Sequence, residues 1–193
     1  MLSQYEKIIG LVAAILGIVG YIPYFINIFR NKTKPHAFTW LIWSIITAIV
    51  FIIQILEGAG AGSYVTGTAA LLCFVIAIIA FVKGEIIYDK YDWFSLGGAL
   101  IGILLWQITN NPIFAVAMIV ISDAFGFYPT LRKGIKNPFE ETISTFLINS
   151  LKYVIAMFAM QNYSLATSLY PIYLILMNGS FTIILILGRR IKK

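Results

Sequence analysis

Hydrophobic positions in this chain fall in long unbroken runs. Seven of them, roughly 7–29, 37–56, 62–82, 91–109, 112–131, 142–161 and 165–188, are separated by short polar stretches. Each is close to the ~20 residues an α-helix needs to cross a hydrocarbon layer of roughly 30 Å. No segment alternates apolar and polar residues as a β-barrel strand would, so backbone immersed in lipid satisfies its own N–H and C=O groups as helix. The pattern predicts an all-α membrane protein with seven transmembrane helices.

A second regularity lies on top of the first. Residues 20–44, GYIPYFINIFRNKTKPHAFTWLIWS, return without a gap at an offset of 106 as residues 126–150, GFYPTLRKGIKNPFEETISTFLINS. Gly20 falls over Gly126, Pro23 over Pro129, Asn31 over Asn137, and TWLIWS over TFLINS; further out Tyr64 meets Tyr170 and Lys83 meets Arg189. A unit of three helices begins on one side of the membrane and ends on the other. A second unit in the same orientation therefore needs one return crossing between them. The reading is a 3+1+3 arrangement: a triple-helix bundle at 1–87, a linker helix 4 at 88–106, and a second, parallel triple-helix bundle at 107–193.

Composition agrees, with 60% hydrophobic and 11% charged residues and a mean hydropathy of +0.90, far above a soluble domain. The net charge of +6 is unevenly spread. Arg30, Lys32 and Lys34 follow the first run, Lys83 and Lys90 the third, Arg132, Lys133 and Lys136 the fifth, and Arg189, Arg190, Lys192 and Lys193 the last. Basic loops stay in the cytoplasm, which puts the N-terminus outside and the C-terminus inside an inner (cell) membrane. The charge is thus matched to membrane lipids, and nucleic acid is not an expected partner. The first run, with only Lys7 before it, reads as a retained helix and not as a removed leader. One cysteine, Cys73, and one histidine, His36, give no disulfide framework, metal site, cofactor site or enzyme constellation.

Few residues are left to carry chemistry. Pro23 and Pro129, each three residues after a glycine (Gly20, Gly126), loosen their helices at matched positions and read as a pair of hinges, or as simple helix ends near a loop. Asp123 is the acid well inside a predicted span, and Lys152 is the base at similar depth on the next helix. Such groups are costly in lipid, so Asp123 is expected either to face solute or protons or to form a fixed ion pair with Lys152; Lys152 could instead snorkel outward. Asn178 and Asn149 are amides in apolar surroundings, and Asn149 aligns with Trp43. Trp43, Asn149, Asn178 and Asp123 form the candidate substrate-binding set, with interhelical bonding and core packing as the alternatives. Trp40, Trp93, Trp106, Tyr91, Tyr163 and Tyr170 near span ends read as an aromatic belt. Gly98 and Gly102 make a GxxxG on helix 4, suited to contact within the monomer or in a homo-oligomer.

The paired prolines and the repeated triple-helix unit resemble the SWEET and PQ-loop superfamily, and the TWLIW, YDW, LWQITNNP and DAFGFYPTL neighbourhoods are similar to its small bacterial seven-helix branch. Tyr24 and Thr130 stand where that family carries glutamine, and Phe51 and Met157 stand near the places of its sugar-stacking tryptophans. The resemblance implies a transporter moving a small polar solute, sugar-like or another metabolite, by alternating access between the bundles, with Asn178 in the position of a solute-holding asparagine and protons as a coupled partner through Asp123. The alternative it implies is a receptor or sensor that binds a ligand in the same place without transport.

Overall fold

The protein is described by a computed structural model over residues 4–31, 35, 37–83, 90–139 and 141–192. Lys32, Lys34, His36 and Lys193 lie outside the described residues. Within them the chain is helical, with no strand: α1 (Gln4–Phe29), α2 (Ala37–Leu56), α3 (Tyr64–Lys83), α4 (Lys90–Thr109), α5 (Pro112–Lys136), α6 (Ile143–Phe158) and α7 (Leu165–Ile191), and a single 3₁₀ turn, Gly60–Ser63, before α3.

Local chemistry fixes the helix ends. Asn31 (φ 55) and Asn110 (φ 53) take the left-handed conformation just past α1 and α4, as a C-terminal stop does. Pro112 opens α5 at the position that needs no N–H, and the Asn111 side chain accepts from the Ile113 N–H at 3.0 Å. Ser164 and Thr167 cap α7 reciprocally, so its first turn leaves fewer orphan donors.

Five helices, α1, α2, α3 with its preceding turn, α4 and α7, are long and apolar enough to cross a membrane. A sixth crossing is made if the two limbs of α5, Pro112–Tyr128 and Thr130–Lys136, count as one span; they meet at 40° across Pro129. The expected run 142–161 yields only the 16 residues of α6, about 24 Å of helix. Its continuation is held elsewhere: the Gln161 N–H donates to the Ala59 carbonyl at 3.1 Å, and Ala159 and Met160 are buried. Backbone that is satisfied by the α2–α3 turn has no need to stay helical.

Packing follows one scheme twice. α3 lies along both α1 and α2, whose backbones do not approach each other, and α7 lies in the same way along α5 and α6. Between the halves, α1 rests on α6 and α2 on α5, while α3 touches α6 as α7 touches α2. Where α1 and α2 meet, they do so through rings: Tyr21 and Trp40 stand 6.1 Å apart at 70°. The positions 106 residues later, Phe127 and Phe146, also stand 6.1 Å apart, at 84°. Edge-to-face pairs of this kind are favourable beyond the area they bury.

α4 is laid against α5. A Cβ on Gly102 would stand 2.8 Å from the Met118 Cβ, one on Gly98 would overlap the Ser122 hydroxyl, and the Ser95 hydroxyl donates to the Ser122 carbonyl at 2.7 Å. The GxxxG face therefore serves a contact within the monomer. One further tie crosses the halves. Pro171 in α7 has no N–H for the carbonyl of Thr167, four residues back; the Gln54 amide of α2 donates to that carbonyl at 3.0 Å.

Candidate functional site

Two buried ionisable side chains, one on α5 and one on α6, share Cys73 and Tyr153 as neighbours. Asp123 is 6% exposed on α5, and its polar neighbour is the hydroxyl of Tyr173 on α7. That hydroxyl is buried and closes no hydrogen bond of full geometry, yet it stands near enough for the two groups to act on each other. Tyr170 on α7, Cys73 on α3 and Tyr153 on α6 are the titratable groups beyond it.

Lys152 is 2% exposed on α6, so it does not snorkel into lipid. Its Nζ stands 5.1 Å from the ring centroid of Tyr21 on α1 and 5.2 Å from that of Tyr153, with Cys73 of α3 nearby. No salt bridge within 4.0 Å reaches it among the described residues. The expected ion pair between Asp123 and Lys152 is not formed. α5 and α6 do not touch each other, each packing on α7, and the Lys152 side chain lies toward Gly17 and Tyr21 of α1 and Cys73 of α3. An ammonium in hydrocarbon costs at least about 2.5 kcal/mol, of which two aromatic faces recover about 1–2 kcal/mol each at best when desolvated.

Glycine makes the room for this lysine. A Cβ on Gly17 of α1 would stand 3.2 Å from the Lys152 Cδ and 3.8 Å from its Nζ. Position 17 is the one that falls under Asp123 at the offset of 106. Where the second half carries a carboxylate, the first half carries a hydrogen atom, and the lysine of the other bundle lies over it.

The remaining predicted site residues are dispersed. Trp43 packs against three of the apolar clusters, those around Ile46, around Trp40 and around Phe181. Its indole N–H is buried without a partner and lies 3.4 Å from where a Gly126 Cβ would be. Asn178 on α7 is buried, and its amide N–H donates to the Leu174 carbonyl of its own helix at 2.8 Å. Asn149 is half-buried on α6 with no hydrogen bond drawn to it among the described residues. Gly20 and Gly126 are both places of close approach between the halves: a Cβ on Gly20 would strike the Ile148 Cγ2 at 2.6 Å. Pro23 lies inside an α1 that runs unbroken to Phe29, whereas α5 turns by 40° at Pro129.

Pockets lie away from these groups. One of about 420 Å³ opens between α4 and α5 and is lined by Tyr91, Ile121, Ala124, Phe125 and Tyr128. Another, of about 260 Å³, lies at the α2–α3 turn beside Gln161.

Sequence reading missed several buried polar residues. Asp92 at the start of α4 accepts from the Thr39 hydroxyl of α2 at 2.9 Å, and the Tyr24 hydroxyl accepts from the Trp40 indole at 3.1 Å. Gln54 was detectable as the amide in an apolar run; Tyr21, Tyr153 and Tyr173 look like ordinary membrane aromatics until the helix order is known. Two expected belt residues, Trp40 and Tyr170, are core residues, the latter 1% exposed, while Trp93 and Tyr163 are exposed.

Compared with protein-family models, with curated proteins and with solved structures, the chain matches none.

Proposed function

We propose that this protein is a membrane transporter of SWEET and PQ-loop type, moving a small polar solute between two triple-helix bundles, 1–87 and 107–193, joined by helix 4. The seven-crossing 3+1+3 arrangement is part of the proposal, with α6 as its short seventh crossing, the N-terminus outside and the C-terminus in the cytoplasm. The observation that carries it is the doubled packing scheme: the order α1–α3–α2 recurs as α5–α7–α6, and the ring pair Tyr21–Trp40 recurs as Phe127–Phe146 at the same 6.1 Å.

In this reading the arrangement with α1 against α6 and α2 against α5 is a closed form. Rocking of the bundles about Gly20–Pro23 and Gly126–Pro129 parts α1 from α6 and α2 from α5, and exposes Trp43, Asn149, Asn178 and Asp123 to the solute. Asp123, buried and without a cationic partner within 4.0 Å among the described residues, is the group suited to take up and release a proton as the cavity opens and closes. Uptake of a broad panel of labelled metabolites into proteoliposomes, with and without a pH gradient, tests this. The proposal expects uptake of at least one solute and loss of its response to the gradient in Asp123→Asn; absence of any uptake, with ligand binding retained, favours a receptor.

A further inference from the structure

Lys152 is a buried amino group, and among the described residues no carboxylate lies within salt-bridge distance of it. Its Nζ faces Tyr21 and Tyr153 with Cys73 nearby, and Asp123 acts on the same Cys73 and Tyr153 without closing a 4.0 Å pair with it. Aromatic faces stabilise a cation without neutralising it. The place from which a carboxylate would most naturally reach it is position 17, because the in-register position of the other half is Asp123. That place is a glycine, and the Lys152 side chain itself lies over it, its Cδ 3.2 Å and its Nζ 3.8 Å from where a Cβ would stand, so a ligand reaches the Nζ there only as α1 and α6 part. A second donor adjoins the Tyr153 side of Lys152: the buried Thr66 hydroxyl of α3 neighbours the Tyr153 hydroxyl and closes no hydrogen bond of full geometry.

We infer that the missing negative charge is brought by the solute: Lys152 Nζ is the docking point for the carboxylate of a small organic acid, which lies over Gly17 between Tyr21 and Tyr153 with Thr66 as an additional donor. This rests on the transporter reading and narrows its solute to a carboxylate-bearing one. Lysine acts here as a point charge reached from α1 and α3, and the apolar walls favour a short chain over a heavily hydroxylated one. Solute binding and closure of the bundles are then linked, since α1 and α6, whose contact surrounds the lysine, are the pair that must part for the solute to leave.

The probes are sodium acetate, lactate, pyruvate and succinate, each against its neutral amide and against sodium chloride. Two measurements are made on the purified full chain: the shift of its unfolding temperature in detergent, and uptake of the labelled acids into proteoliposomes. At least one carboxylate is expected to raise the unfolding temperature and to be taken up, with its amide inert. Lys152→Gln should lower both effects at least tenfold in apparent affinity, and Lys152→Arg should keep part of them. Gly17→Asp provides the protein's own counter-charge. It should abolish carboxylate binding while leaving the unfolding temperature of the unliganded protein equal or higher, and it keeps the test available if Lys152→Gln fails to fold. The inference is overturned if neutral solutes are taken up and no carboxylate is, or if carboxylate effects survive both Lys152→Gln and Gly17→Asp; the transporter reading then stands without it. Lys152-dependent stabilisation by a carboxylate with no uptake of any solute supports the docking point and removes the transporter reading.

Discussion

Replacing Gln54 by leucine isolates one hydrogen bond whose need can be traced to a single proline. Because Pro171 has no N–H, the Thr167 carbonyl lacks its helical donor, and Gln54, 0% exposed on α2, donates to it at 3.0 Å. Leucine nearly matches the volume, so packing changes little. The buried carbonyl left without a donor costs about 1–3 kcal/mol. Against that, the Gln54 Oε1 is itself buried and unpartnered, and its removal returns part of this, for a net loss of about 1–2 kcal/mol. In a Pro171→Ala background the alanine N–H can serve Thr167, so Gln54→Leu should there be neutral or stabilising. The four proteins are compared by equilibrium unfolding in mixed micelles with tryptophan fluorescence as the signal. The cycle should show a coupling of at least about 1 kcal/mol, whereas additivity within roughly 0.5 kcal/mol would refute the assignment of Gln54 to that carbonyl.

Three further outcomes are expected. Phe181→Ala removes a ring 1% exposed that stands 5.2 Å from Phe127 and 4.6 Å from Phe146; it should destabilise by about 3–5 kcal/mol in the same unfolding assay. Gly102→Leu drives a side chain into Met118 and should cost about 1–3 kcal/mol through overpacking between α4 and α5, with no change in oligomeric state by light scattering. Ser164→Ala breaks the reciprocal cap of α7 and should cost about 1 kcal/mol, visible as faster amide exchange over residues 165–168.

Most of the helices were legible because lipid removes every competing backbone solution, and the apolar runs set the positions of α1 to α5 and α7 to within a few residues at most ends. α6 ended early for a reason no hydropathy pattern contains: Gln161 finds its acceptor on Ala59, more than a hundred residues away. α5 ran on to Lys136 because Pro129 bends that helix without ending it. That Asp123 and Lys152 lie inside helices and not at their ends was readable from residue spacing, but their partners were not. Spacing gives height along a helix, while pairing depends on which helices are neighbours, and consecutive helices within each half are held apart by the third. The close-approach role of Gly98 and Gly102 was likewise readable, and its direction toward α5 was not.

The brevity of α6 has a consequence for the surrounding lipid. Under the seven-crossing proposal, its 16 residues span about 6 Å less than a typical hydrocarbon layer, and a bilayer meets such a mismatch by thinning beside the protein. Lys152 is six residues from Phe158 at the helix end, about 9 Å along the axis. Under that proposal, headgroups and water drawn down along that flank would come nearer the lysine from one membrane face than from the other. An asymmetry of access of this kind would be felt as a difference in on-rate between the two sides even where the affinities are equal.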